Sequence, residues 1–146
     1  MQHESQNPPL KFHKFLVEEA LFKTAIPSNS KIQSNDSTPE YTVDIDFNHY
    51  INPQLIKVDM VVGVNTKGKQ AGISVKVKAI GIFSLKTEGL NENQIFNLKV
   101  VSTTSIMINN IRNYISQLTS YSPFGMYMLP TIDITHLIEE KRKAND

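Results

Sequence analysis

Four histidines, His3, His13, His49 and His136, are the side chains best suited to acid–base or metal chemistry here, and their spacing supports neither. Zinc ligation from a helix uses two imidazoles at i and i+4, and no HExxH is present. His3 lies in a polar tail, and the other three read as surface or partly packed residues. Asp44 and Asp46 come nearest to a paired-carboxylate site. Residues at i and i+2 share one face of a strand, however, and the alternation around them makes that face the wet one. They read as two solvated carboxylates. With no P-loop and no GxGxxG, a nucleotide has no local cradle. Catalysis needs polar groups converging in a pocket, and the sequence assembles none, so no enzyme, metal or cofactor is expected.

The stronger chemical signal is apolar. Phe124, Met126, Tyr127, Met128 and Leu129 fall within six residues, in a stretch bounded by Pro123 and Pro130 that reads as a connection. Loops run over the surface, so such a cluster is either covered or is itself a binding surface. Methionine is flexible and polarisable, which suits recognition of varied apolar partners. Packing back over a core explains the cluster equally well, and both readings stand open at this level.

Those residues must be positioned by the elements around them. Residues 11–22 alternate as a strand, with Phe12, Leu16, Ala20 and Phe22 on one side and Phe15, Val17 and Leu21 on the other. A helical period competes over FLVEEALF, and strand is the expectation. Residues 26–38 are polar and read as a loop. Tyr41, Val43, Ile45 and Phe47 alternate with Thr42, Asp44 and Asp46 as a half-buried strand, and Asn52-Pro53 punctuates the chain after it. Residues 55–65 and 73–84 alternate strictly and form an antiparallel hairpin, with Gly68 supplying the positive φ of its turn. Gly63 and Gly81 inside the hairpin imply a bulge or a close backbone approach.

Past Leu85 the period changes. Over 97–118, Val101, Ile108, Ile111, Ile115 and Leu118 follow helical spacing, with Val100, Met107, Tyr114 and Tyr121 as a second stripe beside them. Two adjacent stripes imply two surfaces to cover, the sheet and another subunit, with Met107, Ile111, Tyr114, Ile115 and Leu118 as candidate oligomer contacts. Asp133 or Thr135 then caps a short helix running through Leu137 and Ile138. Strands first and helices last give an α+β class, with the helices on one face of an antiparallel sheet.

Composition sets the outer limits. At 146 residues and 40% hydrophobic, the chain fits one domain with a buried core. That single domain is expected over 1–146, with 1–10 and 141–146 as flexible ends. Lys+Arg 15 against Asp+Glu 14 leaves no positive field for nucleic acid. Cys 0 excludes disulfides, thiolate metal sites and a cysteine nucleophile. No apolar run is long enough to insert into a membrane and no secretory signal is apparent, so a cytoplasmic location is expected.

Three stretches, taken together, resemble the SecB protein-export chaperone family. Pro39-Glu40 followed by Asp44-x-Asp46, in PEYTVDID, is similar to the family's P-E-x-x-x-D-x-D on its second strand. Gly81-Ile82-Phe83-Ser84 resembles the G-I-F that ends the fourth strand. From Arg112, R-N-Y-I-S-Q-L-T-S is similar to the R-x-x-I-x-x-L-T/V-S of the long helix, followed in order by Phe124, Leu129-Pro130 and Asp133-Ile134.

The resemblance implies a four-stranded antiparallel sheet with a long and a short helix on one face, assembled as a tetramer made of two dimers. It implies a holdase that binds unfolded polypeptide without ATP in apolar grooves lined by sheet, helix and inter-helix loop. Carried over, the groove comprises Tyr41, Val43, Ile45, Phe124, Met126, Tyr127, Met128, Leu129, Ile132 and Leu137. A face for the export motor SecA maps to Asp44, Asp46, Lys76 and Lys78. There are departures. Ser37 replaces a tryptophan, Asn109-Asn110 replaces Pro-Tyr, and the spacing from Leu129-Pro130 to Asp133 differs slightly. Lys76 stands where the family carries an acid, and EEKRKAND is not a long acidic tail. Chaperoning is therefore better supported than coupling to SecA. A chaperone dedicated to one client, such as an antitoxin, and a non-chaperone scaffold or small-molecule carrier are the alternatives.

Overall fold

A computed structural model describes residues 7–25 and 40–145. The elements are β1 (Leu10–Ala25), β2 (Val43–Ile51), β3 (Ile56–Val64), β4 (Gly72–Leu85), α1 (Glu92–Phe96), α2 (Thr103–Thr119) and α3 (Ile134–Asn145). A π-helical segment, Asn97–Ser102, joins α1 to α2, so the three run on as one long helix. The expected polar loop over 26–38, and with it Ser37, lies outside the described residues, as does His3.

Strict alternation makes the β3–β4 hairpin the centre of the sheet. Its order is β1-β4-β3-β2 with every pair antiparallel. Cross-strand rows such as Ala20–Val77–Val62–Ile45 and Val17–Ala79–Met60–Phe47 form the inner face, over which the long helix lies. Rows such as Leu21–Lys76–Gly63–Asp44 form the outer one. The turn is built as expected around Gly68 (φ 62), with help from Asn65 (φ 51). Asn65 Nδ2 donates to the carbonyls of Gln70 and Ile73 at 2.9 and 2.8 Å, which offsets its left-handed backbone. Gly81 marks a close approach rather than a bulge, since a Cβ there would collide with Met107 Sδ and the Phe83 ring.

The first strand forms, but not with the expected facing. Register shifts between Phe12 and Lys14 and between Val17 and Glu19 skip His13 and Glu18. Each skipped residue inverts the alternation. Phe12, Phe15, Val17, Ala20 and Phe22 consequently share the inner face, while Leu16 and Leu21 turn outward at 48% exposure each.

The long helix begins five residues earlier than its apolar stripe predicts. Asn91 Oδ1 accepts from the Gln94 N–H at 2.8 Å, and Gln94 Oε1 accepts from the Asn91 N–H at 3.0 Å. That reciprocal cap starts a helix whose first turn has no buried residue. Of the two candidate caps for the last helix, Asp133 is used, its Oδ1 accepting from the His136 N–H at 3.1 Å. The end expected to be flexible from 141 is helical to Asn145, because Ile138 is buried and Lys141 Nζ reaches Asp46 Oδ1 at 2.7 Å across the β2 edge. Among the described residues, no helix is long and apolar enough to cross a membrane.

Candidate functional site

Arg112, Ser116 and Thr119 lie at i, i+4 and i+7 of α2, so they line one face of the helix. All three bind the main chain of the following loop. Arg112 Nε donates to the Leu129 carbonyl at 3.1 Å and Nη2 to the Pro130 carbonyl at 3.0 Å, while Nη1 donates to Asn109 Oδ1 at 2.7 Å. Ser116 Oγ donates to the Arg112 carbonyl at 3.0 Å with the Tyr127 carbonyl also in reach at 3.3 Å, and Thr119 Oγ1 accepts from the Tyr127 N–H at 2.9 Å. The loop is thus fastened along the helix at Tyr127, Leu129 and Pro130.

Fastening sorts its side chains. Leu129 is in the core at 3% exposure and Tyr127 is half-buried, whereas Phe124, Met126 and Met128 remain 43, 58 and 61% exposed. The two readings of this cluster therefore each hold for part of it. Tyr127 meets the Tyr41 ring edge-on at 5.4 Å. Burial, with Tyr41 as a lesser cause, raises the Tyr127 phenol above its usual pKa. The Tyr41 hydroxyl accepts from the Ile73 N–H at 3.3 Å and occupies the space a side chain at Gly72 would need. Val43, Ile45, Ile132 and Leu137 are half-buried against the same core. Of the ten groove residues expected from the resemblance, Phe124, Met126, Tyr127, Met128 and Leu129 lie on the loop, Val43 and Ile45 on β2 with Tyr41 just before it, Ile132 before α3 and Leu137 on α3; Leu129 is the one taken wholly inside.

A polar island stands farther along β2. Thr103 and Thr104, where the π-helical segment ends, donate their hydroxyls to the Lys99 and Val100 carbonyls at 2.7 Å each. Their oxygens face His49 Nε2 at 3.0 and 3.3 Å, so the imidazole carries its proton on Nε2 and donates. Desolvation lowers the His49 pKa from 6.5, partly countered by the Val100 backbone. His13 is exposed and bonds Ser84 Oγ at 2.7 Å, and His136 pairs with Glu140 at 3.0 Å on the surface. No cluster of three metal-ligating side chains occurs among the described residues.

Of the five residues expected at a subunit contact, Met107, Ile111 and Ile115 are fully buried against the protomer's own sheet, and Tyr114 and Leu118 pack partly against the same core. A four-stranded sheet is wide enough to absorb both stripes. Only Tyr121, 94% exposed, is left out of that packing. On the outer face, Asp44 sits across Gly63 from Lys76, and Asp46 across Val61 from Lys78. Each acid thus has a lysine in its own row, and the Lys141 hydrogen bond, with the Phe47 N–H adding to it, holds the Asp46 carboxyl below its ordinary pKa. That face is close to charge-balanced rather than acidic.

Sequence reasoning assigned no role to the His49 contacts, and Arg112, Ser116 and Thr119 stood there only as members of the helix motif. The readable signal was three polar residues at i, i+4 and i+7 on an otherwise broad apolar helix.

Two solved structures share this architecture. The SecB-like chaperone Rv1957 of Mycobacterium tuberculosis, solved with a ChAD peptide from the Rv1956 HigA1 antitoxin, aligns with a TM-score of 0.52 at 11% identity, over 86% of this chain and 91% of that one. A protein of unknown function from Streptococcus agalactiae aligns with a TM-score of 0.50 at 9% identity, over 84% of this chain and 97% of that one. No curated protein sequence matches the chain. The family model described as preprotein translocase subunit SecB matches residues 3–145, and with that match over nearly its whole length the chain belongs to the SecB family.

Proposed function

We propose that the protein is an ATP-independent holdase that binds non-native polypeptide on the exposed Phe124, Met126 and Met128 of the loop. Tyr41, which meets Tyr127 of the same loop, and the half-buried Val43 and Ile45 that follow it are further contacts. Family membership supports a chaperone role, and the observation that carries the holdase reading is the exposure of three large apolar side chains on a backbone fastened to the helix. Unfolded chains expose apolar surface that aggregates at micromolar concentration. Covering it contributes about 25 cal/mol per Å², and several weak contacts in a row give avidity without sequence selection. A scaffold or carrier that merely buries the loop does not account for this exposure. By family analogy, the working form is a cytoplasmic tetramer, a dimer of dimers.

Keeping precursors ready for export is the first biological reading. Service to one dedicated client is the second, favoured by the lysine at position 76 and the charge balance of the outer face. Dilution of a chemically unfolded protein into ATP-free buffer tests the proposal. Near-stoichiometric chain should suppress its aggregation. Unchanged aggregation, from a correctly folded sample and across several clients, would leave a dedicated client or another use of the same fold.

A further inference from the structure

We propose that Arg112 is the positioning residue of this site: its guanidinium fixes the main chain at Leu129 and Pro130 so that Met126 and Met128 are presented before any polypeptide arrives. The inference rests on the client-binding reading above and extends it to what controls the site. The guanidinium bonds in two directions at once. Nε and Nη2 cross to the loop at 3.1 and 3.0 Å, while Nη1 is held by Asn109 one helical turn back at 2.7 Å. A planar fork anchored on its own helix is a rigid clamp, which a lysine, with one flexible ammonium, reproduces only in part.

The rest of the loop explains why a clamp is needed. On its near side Gly125, at φ 83, donates to the Ser122 carbonyl at 3.0 Å, and the Phe124 N–H donates to Ser122 Oγ at 3.1 Å. Beyond it the Ser116 and Thr119 hydroxyls hold Tyr127. Met128 lies between that anchor and the Arg112 contacts, so both of its flanks are fixed while its side chain stays free. Ordering an exposed side chain and its loop on binding weakens affinity by roughly twofold to tenfold per side chain. Arg112 meets most of that cost during folding.

A double-mutant cycle tests this, using calorimetric binding of permanently unfolded, carboxymethylated lactalbumin as the probe. Arg112→Met should weaken binding about tenfold and Arg112→Lys about threefold, with the loss chiefly in the entropy of binding. On a Met126→Ala/Met128→Ala background, Arg112→Met should change affinity by less than about twofold, because the residue acts through those side chains. Equal losses on both backgrounds would show that the arginine supports the fold generally, and would overturn the proposal. So would wild-type affinity in Arg112→Met alongside weakened binding by the alanine pair, which leaves the client site itself intact. Wild-type affinity in the alanine pair overturns the client-site reading and this one with it. If Arg112→Met does not fold, Arg112→Lys completes the same cycle, with its threefold loss expected to vanish on the alanine background.

Discussion

Met60 and Met107 are 1 and 0% exposed between sheet and helix, while Met126 and Met128 are 58 and 61% exposed on the loop. The same side chain is a core filler in one region and a free surface in the other. Residue type does not decide between these fates. In the core, facing does: Met60 pairs with Ala79 and Phe47 on the sheet's inner face, and Met107, on the helix side turned to that face, fills the space that Gly81 leaves open. In the loop, main-chain anchors do, because hydrogen bonds at Tyr127 and Leu129 turn those two inward and leave their neighbours outward.

The largest effect that separates the two regions should come from the core. Ile111→Ala, at a fully buried position, should cost about 2–5 kcal/mol in chemical denaturation and leave client affinity per folded molecule unchanged. Met126→Ala/Met128→Ala should do the reverse. Stability should stay within about 0.5 kcal/mol of wild type, because exposed side chains contribute little to folding. Client binding should fall about tenfold, the loss expected from removing two apolar contacts. Substantial destabilisation by that pair would erase the distinction between the regions.

Thr119→Val probes the boundary. Its hydroxyl oxygen accepts from the Tyr127 N–H, and removing it from a buried site should cost about 1–3 kcal/mol in denaturation. Amide exchange at Tyr127 should accelerate at the same time, and unaltered exchange would count against the anchor.

A smaller effect concerns pH. The folded pKa of His49 is depressed, so the unfolded chain takes up its proton first. The stability His49 contributes is whole above its unfolded value near 6.5 and is lost as pH falls through that value towards the folded one. His49→Gln, which retains a donor towards Thr103, should flatten a stability profile recorded between about pH 5 and 7.5, a range set by ordinary histidine titration. An unchanged slope would place the titration elsewhere.

Smallest of all is the surface link between α3 and β2. Lys141→Met removes an ion pair to an exposed carboxylate and should cost under about 1 kcal/mol, detectable mainly at low salt.

The hairpin was legible in the sequence because its two strands alternate without interruption and its turn carries a glycine. The first strand was legible in type but not in facing: two skipped residues reset the phase of its apolar positions, and nothing in KFHKFLVEEALF marks His13 and Glu18 as the ones skipped. The start of the long helix was missed because Glu92–Phe96 buries nothing, although Asn91 and Gln94 already stood at capping-box spacing. The apolar loop was found at once as a cluster. Which members face outward was not legible, since that depends on a polar helix face seventeen residues upstream reaching across the chain, as Arg112 does to Leu129. The helix stripes were legible as covered faces, but periodicity does not show by what, and the protomer's own core takes up most of both.

The central claim is that client binds the loop methionines and leaves the buried ones alone. Methyl-labelled methionine spectra test it most directly, because Met60, Met107, Met126 and Met128 report both regions in one sample. On titration with a permanently unfolded polypeptide, the Met126 and Met128 methyl signals should shift or broaden in proportion to binding, with Met60 and Met107 unmoved. Binding that leaves Met126 and Met128 unchanged, or that perturbs Met60 and Met107 instead, would contradict the account.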